Sequence, residues 1–252
     1  MKLWRQGYKV VAGLDEVGRG CFAGSVVAGC AVFNKTICSL QGASLKGRDT
    51  VLINDSKKLK PRQREIAAVW IKKNALTWGI GEASVSEINR LGMGKATKIA
   101  FRRAISVANQ RLRYKDTKIL RKVNKVGKTP SIIVSKYPSI EFLLIDAFYI
   151  PYVNGLRKKN QKAIIDGDEK SISIAAASII AKVYRDKKML SLSKVAKYKK
   201  YGWGRNKGYG TREHQKAIRD HGITRHHRRA FVQTWLGKVE TGKQLAGRSE
   251  IR

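Results

Sequence analysis

Three apolar runs in this chain stop on acids. Leu14 is followed by Asp15 and Glu16, Ile145 by Asp146, and Ile165 by Asp166, Gly167 and Asp168. An aspartate at the end of any one strand is ordinary turn chemistry. Three such endings, in a chain with 18 acidic residues against 53 basic ones, call for a chemical reason. If the three strands are neighbours, their ends gather four carboxylates, and like charges that close raise one another's pKa. Oxygen-only donors suit hard divalent cations, Mg2+ or Mn2+. Two such ions can clamp the attacking and leaving oxygens of a phosphodiester. Acids gathered within a basic protein therefore predict a metal-dependent nuclease.

The elements that must position these acids follow from pattern. Residues 9–14 and 23–33 read as strands, the second rich in Val and Ala. Pro61 opens a helix on which Ile66, Val69, Trp70 and Lys73 recur at helical spacing. Residues 76–85 are strand-like, and Ser84 with Glu87 forms a capping box for a following helix. Another helix is predicted over residues 95–112, with Ile99, Ala100 and Ile105 facing inward. Residues 141–146 and 162–168 are of strand length. Residues 171–189, rich in Ala and Ser, predict a long helix packed closely on a sheet. Thr211 caps a helix that Gly222 ends. Strands alternating with helices predict an α/β domain.

Bulk properties agree with that reading. A chain of 252 residues with 42% hydrophobic content can build a real core. A formal net charge of +35 predicts a polyanionic partner, nucleic acid before an anionic membrane. The longest apolar stretch, around residues 172–181, is far short of the roughly 20 residues of a membrane span. The first ten residues contain no signal-peptide core. Cys21, Cys30 and Cys38 form no CxxC pair, so buried thiols in a reducing cytosol are expected. Between residues 111 and 136, nine Lys and Arg side chains face only Asp116. That stretch is either a solvated face or an extra nucleic-acid contact.

Six motifs in order carry a family resemblance: "GLDEVGRG" (13–20), "NDSKKL" (54–59), "GEASVSEINRLG" (81–92), "LLIDA" (143–147), "DGDEKSISIAAASIIAKVYRD" (166–186) and "NKGYGT" (206–211). Together they make the chain similar to the bacterial-type ribonuclease HII family over nearly its whole length. The resemblance implies an RNase H-like fold: a mixed five-stranded sheet flanked by helices, with a helical C-terminal part. It implies a catalytic domain over residues 1–190, with an enlarged basic connection at about 111–139, and a helical segment over 191–252 that completes the substrate groove. It further implies a monomeric, cytoplasmic endonuclease that cuts the RNA strand of RNA/DNA hybrids and single ribonucleotides embedded in duplex DNA.

Carried over by motif, the family's metal-binding catalytic acids fall on Asp15, Glu16, Asp146 and Asp168, which would hold two Mg2+ or Mn2+ ions with substrate. Asp166 is then a neighbour of the ligands. Gly18, Arg19 and Gly20 match the turn whose backbone contacts the ribose 2′-OH, the group that distinguishes RNA from DNA. Tyr209 matches the tyrosine that packs on the sugar at the RNA–DNA junction. Asn54, Ser56 and Lys57 correspond to substrate-backbone contacts, and Lys170 and Ser171 are placed to touch a phosphate.

The sequence departs from the family pattern after the glycine turn, where Cys21-Phe22-Ala23-Gly24-Ser25 replaces a segment with two prolines. Losing them removes two fixed φ angles. Residues 233–240, "QTWLGKVE", do not make a sliding-clamp peptide, so no clamp partner is expected. His214, His221, His226 and His227 cluster without a cysteine, which points to solvated or phosphate-facing roles ahead of zinc. Trp203 and Trp235 are expected in the core. Two other functions compete: an RNase H-like DNA nuclease such as a resolvase, and a non-catalytic basic nucleic-acid binder. The first has no use for a 2′-OH sensor, and the second has no reason to gather carboxylates.

Overall fold

The computed structural model describes residues 2–39, 53–124 and 139–237. Its sheet is made of β1 (Val11–Val17), β2 (Val26–Val32), β3 (Thr77–Ala83), β4 (Phe142–Asp146) and β5 (Gln161–Ile164), in the order β3-β2-β1-β4-β5. β1 pairs antiparallel with β2 and parallel with β4, and β4 pairs parallel with β5. This is the mixed five-stranded sheet that the resemblance implies. Parallel neighbours bring strand C-termini to the same edge. Leu14 stands opposite Ile145, so the next residues, Asp15 and Asp146, emerge side by side.

The longer helices are α1 (Pro61–Asn74), α2 (Val85–Leu91), α3 (Met93–Asn124), α4 (Ile172–Lys194) and α5 (Arg212–His221). Ser84 and Glu87 form the expected capping box of α2, and Thr211 caps α5. α4 lies against β1 and β2 at very short range. A Cβ on Gly13 would stand 2.1 Å from the Ser173 carbonyl carbon, and one on Gly29 would stand 2.1 Å from the Ala177 oxygen. Glycine in the strands and alanine in the helix are what permit this approach. The same core takes Phe33, Leu59 and α1, but through Ala67, Ala68 and Ile71. Of the residues at helical spacing, Trp70 packs partly buried against this core beside Phe33, while Ile66 and Val69 are exposed. On β3, Gly79 and Gly81 leave comparable room for the Ala100 and Ala104 carbonyls of α3.

Helix α3 runs past the predicted end at residue 112 to Asn124, so the front of the basic stretch is helical. Residues 125–138 of that stretch lie outside those described. The other boundary correction concerns residues 162–168. The strand stops at Ile164, Asp166 takes a left-handed conformation (φ 53°), and a short helical turn spans Gly167–Lys170. Asp168 therefore sits on a helical turn, not at a strand end.

The chain divides into two compact units. One contains Met1–Val17, Val27–Glu82 and Thr97–Arg185; the other contains Gly18–Val26, Ala83–Ala96 and Asp186–Arg252. The second unit has its own core of Ala23, Met189, Tyr198, Tyr201, Trp203, Ala217, Ile218 and Val232, with Phe22 and Trp235 packed against it. Trp203 is a core residue as expected, whereas Trp235 is only partly buried against that core. Among the described residues, no helix is long and apolar enough to cross a membrane.

Candidate active site

In the first unit the carboxylates meet at the C-terminal edge of β1 and β4. Side chains alternate along a strand, so Asp15 shares the face of Gly13 that is covered by α4, and Glu16 points to the other face. Asp15 is 6% exposed, and Glu16 is half-buried. Asp15 Oδ1 accepts the Glu16 backbone N–H at 2.7 Å, and the Ser178 hydroxyl of α4 bonds the same carboxyl. Burial raises the Asp15 pKa from 3.8 to about 7; the Ser178 and Glu16 hydrogen bonds oppose this rise, while the charges of Glu16 and Asp146 add to it. A buried acid repelled by two neighbours is a site that lacks positive charge.

Asp146 is fixed by a local clamp, its Oδ1 accepting the Gly167 N–H at 2.9 Å. A Cβ on Gly167 would stand 2.7 Å from the Ile174 side chain and 3.3 Å from Asp146 Oδ1. A side chain at this position would press on the Ile174 methyl and crowd Asp146 where the 166–170 turn closes on it. Lys170 holds the turn from outside, its Nζ donating to the Ile165 carbonyl at 2.7 Å and standing 3.8 Å from Asp166. Asp166 is thus exposed and paired with Lys170.

Asp168 is buried, and its pKa is raised by that burial and next by Asp55, with which it shares a hydrogen bond. Asp55 is therefore a fifth acid of this cluster, and the sequence reading missed it. Its motif neighbours Asn54, Ser56 and Lys57 were singled out, and nothing in the spacing marked Asp55 as the inward one. Asp55 Oδ1 also accepts the Lys57 N–H at 2.8 Å, while Asn54 Oδ1 accepts the Asp55 N–H at 2.7 Å. Ser56 is buried, its hydroxyl 2.9 Å from that of Ser178, so a relay Ser56–Ser178–Asp15 runs beneath the site.

Lys57 is the positive charge of the cluster, its Nζ 3.6 Å from Asp168 Oδ2. Burial works against its charge, but Asp168, Asp55, Asp15 and Asp146 outweigh this and raise its pKa. Among the described residues, no three His, Cys, Asp or Glu side chains converge to hold one ion. The donor set is nonetheless all carboxylate and deficient in positive charge, which fits hard divalent cations and no softer metal.

In the second unit, Gly18 has φ 92° and Gly24 φ 86°, so both ends of the 18–24 turn need glycine. Gly20 does not: a Cβ there would find no atom within 4 Å. Its bare backbone faces open space, which suits close approach by something outside the chain. Tyr209 bridges to Cys21, and Gly208 accepts the N–H groups of Phe22 and Ala23 at 2.8 and 3.1 Å. The Tyr209 ring is 41% exposed. The turn and the tyrosine are thus stitched into one element.

The histidines depart from expectation. His214 and His227 are fully buried against Trp203 and Tyr201, while His221 is exposed. Burial depresses the pKa of both, His227 to about 3. These two neither face phosphate nor contact solvent.

A family model described as ribonuclease HII matches residues 12–234. The chain belongs to the ribonuclease HII family. Curated relatives agree: ribonuclease HII of Desulfitobacterium hafniense (strain DSM 10664 / DCB-2) is 40% identical over 92% of this chain and 72% of that protein. The enzyme of Wolbachia pipientis subsp. Culex pipiens is 40% identical over 88% of this chain and 90% of its own. Solved structures support the fold. Ribonuclease H2 of Pyrococcus horikoshii OT3 superposes with a TM-score of 0.54 at 20% identity, covering 89% of this chain and 96% of that one. The Archaeoglobus fulgidus chain solved as a PCNA:RNase HII complex gives 0.53 at 21% identity, covering 87% and 93%.

Proposed function

We propose that this ribonuclease HII is an endonuclease that hydrolyses the RNA strand of RNA/DNA hybrids and cuts at single ribonucleotides embedded in duplex DNA, leaving a 5′-phosphate. Asp15, Glu16, Asp146 and Asp168 hold divalent ions, Mg2+ or Mn2+. The observation that carries this reading is the carboxylate cluster in a protein of net charge +35, with Asp15 pushed up to about 7. A structural acid would be neutralised by the surplus of Lys and Arg. When bound, such ions polarise the scissile phosphate and generate hydroxide from water.

The chain's own residues do the rest. Asp15 releases its proton when counter-charge enters the site, because burial and repulsion alone hold that proton near neutrality. Lys57, exposed at its tip and already attracted to Asp168, is placed to follow a phosphate oxygen. The Ser56–Ser178 relay keeps the Asp15 carboxyl oriented. The backbone of Gly18, Arg19 and Gly20 reads the 2′-OH, and the exposed Tyr209 ring packs on the sugar at the junction. Asn54, Lys170 and Ser171 contact the substrate backbone at the periphery.

The test is cleavage with Mg2+ of a DNA duplex carrying one ribonucleotide, beside all-DNA and all-RNA duplexes. Scission confined to the ribonucleotide-containing strand is expected. Cutting of all-DNA would instead indicate a resolvase-type enzyme, and binding without cutting would indicate a non-catalytic nucleic-acid binder.

A further inference from the structure

Among the described residues of the second unit, three polar side chains are wholly excluded from solvent: His214, His227 and Arg228. Burying such groups is costly unless each finds a defined partner, so their partners show what the cost secures. The hydrogen bonds fix the tautomers. A carbonyl only accepts, so His214 Nδ1, 2.8 Å from the Tyr209 oxygen, carries a proton and donates it. His214 Nε2 is then a lone pair, and it accepts Trp203 Nε1–H at 3.0 Å. The Thr224 backbone N–H donates to His227 Nδ1 at 2.8 Å. His227 therefore carries its proton on Nε2, aimed at His214 Nε2 3.1 Å away. The result is one directional chain, Thr224 to His227 to His214 to the Tyr209 carbonyl. Protonating either ring would turn two donors on each other, consistent with the depressed pKa of both.

The next residue serves the glycine turn. Arg228 Nη1 donates to the Arg19 carbonyl at 2.7 Å and Nε to the Gly24 carbonyl at 2.8 Å, while its backbone N–H donates to Phe22 at 2.8 Å. One planar guanidinium thus spans both flanks of the turn, a job that a point-charge ammonium cannot do.

We propose that His227 and Arg228 form a two-pronged positioning element: the His227 prong, relayed by His214 to Tyr209, sets the enzyme's selectivity for a ribonucleotide followed by deoxyribose, and the Arg228 guanidinium holds the Gly18-Arg19-Gly20 turn for cleavage at any ribonucleotide. The proposal rests on the ribose-reading role given above to the turn and the tyrosine. These are positioning residues: none touches the substrate.

The test compares His214→Leu, His214→Asn and Arg228→Lys with the wild type and with Tyr209→Ala and Gly20→Val. Steady-state cleavage is measured on two duplexes, one with a lone ribonucleotide and one with a continuous RNA strand, and unfolding is followed by circular dichroism. Asparagine places an N–H donor where His214 Nδ1 stands, whereas leucine does not. His214→Leu should lose about tenfold to hundredfold in kcat on the lone ribonucleotide and less on continuous RNA, with KM changed less than about threefold. His214→Asn should recover most of that loss. Arg228→Lys should lose kcat by a similar factor on both duplexes, since the turn serves both.

Folded His214→Leu and Arg228→Lys enzymes with wild-type kcat and wild-type preference would overturn the proposal. So would equal defects in His214→Leu and His214→Asn, which would mark the position as packing. If His214→Leu does not fold, the His214→Asn and Arg228→Lys results decide. Should Tyr209→Ala and Gly20→Val both cleave like the wild type, the ribose-reading role itself fails. If those two are impaired and the positioning variants are not, only the positioning element is refuted.

Discussion

Without metal, Asp15 should make this protein less stable, and removing its charge should make it more so. Its folded-state pKa is raised from 3.8 to about 7. Below pH 3.8 the carboxyl is protonated in both states and costs nothing. Between 3.8 and about 7 only the unfolded chain ionises, so stability falls as pH rises, and above about 7 the full cost is present. This shift corresponds to about 2 kcal/mol at pH 5 and about 4 kcal/mol at pH 8.5. Asp15→Asn abolishes this cost. The amide oxygen still accepts the Glu16 N–H, but its uncharged hydrogen bonds are weaker by roughly 1 kcal/mol. The net gain at pH 8.5 should be about 3 kcal/mol, against about 1 kcal/mol at pH 5. For a chain of this size 3 kcal/mol raises Tm by about 5–10 °C. The assay is urea and thermal unfolding of both proteins in EDTA at the two pH values, then at pH 8.5 with excess Mg2+. Added Mg2+ should stabilise the wild type more than Asp15→Asn, because the ion supplies the missing counter-charge. A gain that is absent, or equal at pH 5 and pH 8.5, refutes the claim that Asp15 is a strained, buried acid.

Asp146→Asn should abolish cleavage while leaving circular dichroism and duplex affinity intact; turnover near wild type in Mg2+ would remove Asp146 from the metal site. Tyr209→Ala should lose activity on a lone embedded ribonucleotide more than on continuous RNA, with Tyr209→Phe retaining most of it; equal losses on both duplexes would make the ring a general packing residue. Duplex affinity should fall steeply with salt, log Kd changing by about 0.9 per neutralised phosphate for each decade of salt; a flat salt titration would contradict a polyanion-binding role for the +35 charge. His227, depressed from 6.5 to about 3, binds its proton in the unfolded chain first, so stability should drop as pH falls from 6.5 towards 3; His227→Gln should flatten this slope in acid unfolding curves, and an unchanged slope would place the cause elsewhere.

The glycine turn and the acids at residues 15, 16 and 146 were legible in the sequence because they are local. Each is a contiguous motif at the end of an apolar run, and the strand register needs only neighbouring strands to bring Asp15 beside Asp146. The α2 capping box was legible for the same reason, since its partners are three residues apart. The overall charge, and with it the class of partner, is a property of composition alone.

Other features of the site depend on where distant segments meet. Asp168 was identified by motif, but its place on a helical turn depends on the left-handed Asp166 and on Gly167 closing against Ile174. Asp55 became a member of the cluster only when its loop met the 166–170 turn, and Ser178 only when α4 settled on two strand glycines. His214 and His227 looked like surface residues in a polar, basic segment, and the packing of Trp203 and Tyr201 is what buried them. Arg228 could not have been singled out among 53 cations, since its carbonyl partners lie 204 and 209 residues away in the chain. Composition and short motifs determined which chemistry this protein carries. Tertiary structure decided which polar groups are desolvated, and so which pKa values shift and which side chains hold the site, because burial is set by contacts between segments far apart in the sequence.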